Sequence, residues 1–389
     1  MSDLSKNRIE SIDLLKGLIM VVMVLDHARD YFHYSAFFFN PTNPELTTWP
    51  IYITRWVTNF CAPAFSFLAG LSAFLVGKRK TQGDLSSFLI KRGLWLVFVE
   101  VVIISFGWKF DPQFRHVGLQ TIWSLGMSMI VLAGLIHLPK SVILIGSCIL
   151  IFGHNLLDSL HFGDSILWSI LHETHRYEWA GRTLVVAYPL VPLVAVMSLG
   201  FVFGTLYEST FDTTRRKQIL NAVGIGCLVL YVLLLIINLY GNRDHWQHYP
   251  TISQTLMSAF DATKYPPSLQ FLLITLGPAF LFLANTESLK SKLVQYISTF
   301  GRVPFFFYIL HIYLLHFIAL WAAWFSGYGW KMWAMPTFVT RVEALKGFGY
   351  PLWVVYVVWI AVVLLLYPVC NKFDAYKQGN KGKGWLSYL

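Results

Sequence analysis

The sequence predicts an all-α fold, a polytopic membrane bundle of about ten transmembrane helices, and three observations carry that prediction. Hydrophobic residues make up 56% of the chain and charged residues only 13%, against about 25% charged in an ordinary soluble domain. A water-soluble core cannot absorb so much apolar sequence without exposing it, whereas lipid solvates the outer faces of apolar helices. The apolar residues also fall into runs of about 20, the length a helix needs to cross a bilayer core. Finally, the chain has 15 Trp and 19 Tyr, and many of its aromatics flank those runs, where amphipathic rings settle at headgroup level.

The predicted spans, in order, are Ile12–Phe32, Tyr52–Gly77, Phe88–Trp108, Thr121–Leu138, Ser141–Leu157, Leu184–Tyr207, Ile219–Leu239, Pro267–Ala284, Pro304–Phe325 and Pro351–Cys370. Asp13 and Lys16 interrupt the first run, so it reads as a retained helix and not as a cleaved signal segment. The fifth is short and ends in the polar Gly153-His154-Asn155. Pro63, Pro189, Pro192 and Pro278 fall inside spans, where each removes a backbone donor and favours a kink. Gly200 and Gly204 form a GxxxG pair that suits close helix packing.

Ten spans divide the connections into two sets. One set holds 19 of the 30 basic residues, including Lys6, Arg8, Lys78-Arg79-Lys80, Lys91-Arg92, Arg215-Arg216-Lys217, Lys290, Lys292 and Lys381. By the positive-inside rule this set, with both termini, is expected in the cytoplasm. The other connections, about 33–51, 158–183, 240–266 and 326–350, are longer and rich in Trp, Tyr, His and Asp. The elaborated surface is therefore expected outside. Residues 1–389 read as a single domain without repeats, with a disordered tail from about 377. Topology accounts for the net charge of +10, so nucleic acid is not an expected partner. The four cysteines, Cys61, Cys148, Cys227 and Cys370, lie in apolar stretches with no disulfide or metal spacing.

Ionisable residues within lipid are costly and mark function. The first helix carries Asp13, Lys16, Asp26, His27, Arg29 and Asp30. Lys16 and His27 are eleven positions apart, which places them on one face, separated by about 16 Å along the axis. Asp30, three residues past His27, or the adjacent Asp26, is expected to orient the imidazole. His154 and Asp158 are four apart and can bond on one helix face. His311 and Tyr308 share a face of the ninth span, and His316 points elsewhere. Glu100 is a buried acid with no partner evident in the sequence, and Lys264 should face any outer cavity. The His spacings match no metal motif, and no nucleophile elbow or nucleotide-binding loop appears.

Several strings together are familiar: Ser11-Ile-Asp-Leu-Leu-Lys-Gly17, Leu25-Asp-His-Ala-Arg-Asp30, Phe60-Cys-Ala-Pro-Ala-Phe-Ser-Phe-Leu-Ala-Gly70, Gly153-His-Asn-Leu-Leu-Asp158, Lys264-Tyr-Pro-Pro-Ser268 and Gly301-Arg-Val-Pro304 with His311. Over essentially its whole length the chain resembles a bacterial membrane protein family of unassigned function. That family is grouped with the catalytic domain of heparan-alpha-glucosaminide N-acetyltransferase, within a wider superfamily of transmembrane acyltransferases. The resemblance implies transfer of an acetyl or other acyl group from cytosolic acyl-CoA to an extracytoplasmic sugar or envelope acceptor, in a bacterial inner membrane. It implies no metal, and it leaves a homo-oligomer open. Many members carry an Arg, ten intervening residues and a His on the first helix; here Lys16 and His27 take those places. His27 would be the general base or a transient acyl carrier, oriented by Asp30 or Asp26. Lys16, Arg302, Lys91 and Arg92 would hold donor phosphates. His154, Asp158, Lys264, His311 and, as a further possibility for the catalytic His, His33 would lie toward the acceptor. A transporter with the same buried groups as a proton relay is the alternative, and a scaffold without chemistry is a third.

Overall fold

The computed structural model describes residues 9–380 and 382–388; Lys6, Arg8 and Lys381 of the basic set lie outside them. The helices, in order, are α1 Glu10–Phe32, α2 Trp49–Val57, α3 Cys61–Gly77, α4 Gln82–Phe98, α5 Ser105–Lys109, α6 Thr121–Leu135, α7 Lys140–Gly153, α8 Ile166–Leu171, α9 Leu190–Phe203, α10 Thr213–Ile237, α11 Ile252–Ala259, α12 Leu269–Asn285, α13 Lys292–Arg302, α14 Pro304–Ala323 and α15 Leu352–Gly379. A π-helical stretch, Val99–Ile104, joins α4 to α5. Among the described residues six helical segments are long and apolar enough to cross a membrane, and α6 and α12 are shorter apolar helices. Two more segments, α1 and the joined α4–α5, are long but carry charges. Each of these ten segments overlaps one of the ten predicted spans, and the chain is a polytopic helical membrane protein.

The spans alternate in direction. Their basic end gathers the start of α1, the end of α3 and the starts of α10 and α14; the loop end carries the long connections. Reporter fusions after Lys80 and after Arg216 are expected to read cytoplasmic, and a fusion within 240–266 to read outside. Outside signals at both Lys80 and Arg216 would contradict that orientation.

The core forms around α1, whose Val24, Ala28 and Tyr31 are fully buried. One apolar cluster joins α1 to α6, α14 and α15, and a second joins it to α3, α9 and α12. By contrast α10 and α15 leave Leu233, Ile236, Leu364 and Leu365 uncovered, the surface that lipid solvates. Two crossings need glycine. A Cβ on Gly70 would strike the Met197 carbonyl, and one on Gly200 the Phe67 carbonyl, so α3 and α9 meet backbone to backbone. Gly17 and Gly301 meet the Ile297 and Asp13 carbonyls in the same way, which seats α13 across α1 beside Lys16.

One expectation is corrected. The sixth span does not begin at Leu184. Arg182–Val186 is β3 of a small sheet with β1 His116–Leu119 and β2 His175–Trp179, in the order β1-β3-β2. β3 runs parallel to β1 and antiparallel to β2, with Val117 opposite Leu184 and Tyr177 opposite Leu184. A β-branched apolar run abutting a helix is indistinguishable by hydropathy from its first turn; Pro189 then fixes the helix start at Leu190. At the other end of the chain α15 runs to Gly379 and Gly384–Tyr388 forms a further helical turn.

Glu100, which shows no partner in the sequence, has a structural one. Its Oε2 accepts from the amides of Ile122 and Trp123, at 2.9 and 3.2 Å. These are first-turn donors of α6 that the helix itself cannot satisfy. Glu100→Ala should therefore destabilise the fold by about 1–3 kcal/mol for each amide left bare, read as a lower thermal unfolding midpoint in detergent. Glu100→Gln keeps an acceptor and should lose less; equal losses for both variants would remove the capping role.

Candidate functional site

A cavity of about 1060 Å³ runs through the bundle alongside α1. Lys16, Ser72, Arg92 and Lys377 line it toward the basic end, His27, Trp108 and Tyr308 toward its middle, and Asp26, Arg29, Asp30, Arg55 and Lys264 toward the loop end. The helical spacing that puts Lys16 and His27 on one face thus opens both onto a single space. Lys16 Nζ donates to Ser72 Oγ on α3 at 2.8 Å.

His27 is held by a residue 284 positions away in the chain. Its Nδ1 lies 2.7 Å from His311 Nε2, and His311 Nδ1 lies 3.1 Å from the Phe307 carbonyl oxygen. The carbonyl can only accept, so His311 carries its proton on Nδ1 and offers a lone pair at Nε2. His27 Nδ1–H then donates to that lone pair. The tautomer that follows leaves His27 Nε2 unprotonated, and among the described residues nothing bonds to it. Trp108 packs edge-on against the His27 ring at 4.7 Å, and Tyr308 flanks it at 6.3 Å.

This corrects the expectation that Asp30 or Asp26 orients His27. Asp30 Oδ1 accepts from Arg29 Nη2 at 2.7 Å. Asp26 pairs with Arg29 at 2.8 Å, Arg55 at 3.4 Å and Lys264 at 3.9 Å. Three cations thus face two carboxylates beside the imidazole, a positive surplus in a buried setting where charge is poorly screened. Arg55, on α2, carries no periodicity linking it to α1, which is why sequence reasoning misses it. Tyr308 and Lys264 both line the cavity.

Other expected residues lie elsewhere. Arg302 donates through Nε to Asp374 Oδ2 on α15 at 2.5 Å and through Nη2 to Thr299 at 2.8 Å, a tie between helices and off the cavity lining. Lys91 is exposed, one residue from the lining Arg92. His33 is buried against the segment before α15, with Nδ1 2.5 Å from Ser35 Oγ and a backbone bridge to Tyr350. Burial, then the Arg29 charge, push its pKa down to about 4, so it is neutral at physiological pH. His316 is fixed between the carbonyls of Gly107 and Met332 at 2.8 and 2.9 Å, away from His311's contact, as its spacing predicts. His154 and Asp158 do not bond to each other. Asp158 instead accepts from His172 Nε2 at 3.0 Å and from Asn155 Nδ2 at 2.7 Å, at the loop end and apart from the cavity.

A family model described as heparan-alpha-glucosaminide N-acetyltransferase, catalytic, matches residues 8–237, more than half of the 389-residue chain. No curated protein matches the chain. The matched segment holds Lys16, Asp26, His27, Arg55 and Arg92, whereas Lys264, His311 and Lys377 lie beyond it. With a polar, His-centred cavity threaded through a bundle of apolar helices, the chain belongs to the heparan-alpha-glucosaminide N-acetyltransferase catalytic family of transmembrane acetyltransferases.

Proposed function

We propose that the protein moves an acetyl group from acetyl-CoA, entering at the basic end, to an amine or hydroxyl of an acceptor entering at the loop end. The observation that carries this reading is one cavity lined by Lys16, Arg92 and Lys377 at one end, by Lys264 and Arg55 at the other, and by His27 between them. The basic-end cations suit the phosphates of coenzyme A, and the elongated pantetheine arm suits the axial distance of about 16 Å from Lys16 to His27. Phosphate contacts of this kind weaken as salt screens them.

The chemistry follows from the tautomer. His27 Nε2 takes the proton of the acceptor N–H or O–H as that atom attacks the thioester carbonyl. Charge develops on the carbonyl oxygen, and the cationic surplus of Arg29, Arg55 and Lys264 over Asp26 and Asp30 favours it electrostatically. Collapse breaks the C–S bond, and the departing thiolate takes the proton from His27 Nε2. While His27 is protonated, His311 Nε2 accepts its Nδ1–H bond and spreads the positive charge toward the Phe307 carbonyl. Lys in place of Arg at position 16 keeps the charge and gives up the bidentate fork; Arg92 and Lys377 supply further cations at that end.

Purified protein should bind acetyl-CoA, more weakly at raised salt and more weakly in Lys16→Ala than in Lys16→Arg. His27→Ala should lower transfer, or acetyl-CoA hydrolysis where no acceptor is present, by about 10²–10⁴-fold while donor binding persists. His311→Ala should lower the rate less and shift its pH profile, because the base remains but loses its tautomer lock. His316→Ala should change the turnover of folded protein little, while lowering the thermal unfolding midpoint, because it leaves the Gly107 and Met332 carbonyls without their partner. Wild-type turnover in His27→Ala would remove the base from this mechanism, and solute counterflow in proteoliposomes without acetyl-CoA turnover would favour a transporter.

A further inference from the structure

The connection between α7 and β2 holds a second cluster that the proposed acetyl transfer does not use. His154 opens a single 3₁₀ turn, His154–Leu157, directly after α7. Its side chain is buried, at 2% exposure, and neither ring nitrogen has a hydrogen-bond partner. A fully buried imidazole with both nitrogens unmatched loses its hydration without compensation. Two chemically apt neighbours face it. Asp158 follows one turn later, and His172, immediately after α8, is 1% exposed with its Nδ1 also unmatched. One ligand-competent atom from each of the three residues lies within 4.8 Å of the others.

The geometry points to a divalent transition-metal site formed by His154, Asp158 and His172. We propose that a Zn²⁺-class ion occupies it and pins the α7–β2 connection to the end of the bundle. Two neutral imidazoles and one carboxylate form a donor set that borderline ions prefer and that Mg²⁺ and Ca²⁺, which take oxygen ligands, do not. Ligand distances near 2.0–2.2 Å need the donors about 3.3 Å apart, so a small closure about the cluster completes the site. His172 Nε2 and Asp158 Oδ1 are already 3.0 Å apart. Asn155, between the ligands, steadies the site in two directions. Its Nδ2 donates to Asp158 at 2.7 Å, and its Oδ1 accepts from the Leu269 amide at the start of α12 at 2.8 Å. Metal-binding carboxylates are usually held in place by such hydrogen bonds from neighbouring side chains. Asp158, the least buried of the three, gives the ion a route in. Because none of the three lines the central cavity, the ion's role is to hold the loop end together and not to activate the acyl group.

The spacing of these residues did not reveal the site. His154 and His172 are eighteen positions apart, and only the fold of α8 returns His172 to the turn after α7.

The test uses the full chain purified in detergent, stripped with chelator and re-equilibrated with Zn²⁺ or, for its visible absorption, Co²⁺. We expect one tightly held ion per chain by elemental analysis, a Co²⁺ spectrum of low coordination number, and a higher thermal unfolding midpoint with metal than without. His154→Gln and His172→Asn should each lose the ion and the metal-dependent rise while eluting as monodisperse protein; Asp158→Asn should weaken binding. His161→Ala and His175→Ala, nearby histidines outside the cluster, should retain it. Folded wild-type protein that takes up no stoichiometric Zn²⁺ or Co²⁺ would overturn the proposal, as would undiminished binding in both His154→Gln and His172→Asn. Acetyl-CoA turnover is a separate readout, so loss of either result leaves the other interpretable.

Discussion

The hydrogen bond between His27 and His311 is the interaction on which the rest of the site depends. A histidine in the middle of an apolar bundle has two tautomers, and its hydrogen-bond partners fix the choice. Here a helix carbonyl, Phe307 O, sets the proton of His311, and His311 in turn sets that of His27. The consequence is directional: one nitrogen of His27 is committed to structure, and the other is left to the cavity. The bond also joins the first span to a span near the end of the chain, so the site exists only once the bundle has closed. Trp108, which packs against His27, donates nothing to it but excludes lipid and water from one edge of the ring.

Around that pair the bundle separates its charges by task. At the basic end, Lys16 and Arg92 line the cavity, while Arg302 is taken up by Asp374 and fastens α13 to α15. At the loop end, Asp26 is shared among Arg29, Arg55 and Lys264. Breaking such a buried network by removing one partner is costly, because it strands the others without water. The same economy of polar groups explains Glu100. It looks functional in sequence because it is an acid in an apolar helix, yet it is engaged in satisfying the start of α6.

The helical framework was legible because the signal for a membrane span is large and local: about twenty apolar residues with charged or aromatic ends. The α1 face was legible for a similar reason, since helical periodicity alone puts Lys16, His27 and Asp30 on one face, and all three line one space. What the sequence did not carry was the partners from distant elements, and the pairings read from local spacing do not form. Asp30 is the near neighbour of His27 in sequence, but the adjacent Arg29 captures it, and the true partner stands on α14. His154 and Asp158 are correctly spaced to bond on a helix, but the chain has already tightened into a 3₁₀ turn there, and Asp158 faces His172 instead. Arg55 carried no signal at all. The small sheet was hidden because β3 adjoins a true span and is as apolar as one.

The direction in which a coenzyme A thioester lies in the cavity decides the proposed chemistry, since cations stand at both of its ends. A structure of the protein bound to a non-reactive acetyl-CoA thioether analogue tests this most directly. The phosphates should lie beside Lys16, Arg92 and Lys377, with the acyl carbon next to His27 Nε2. An analogue bound in reverse, with its phosphates against Arg55 and Lys264, or seated outside the cavity altogether, would contradict it.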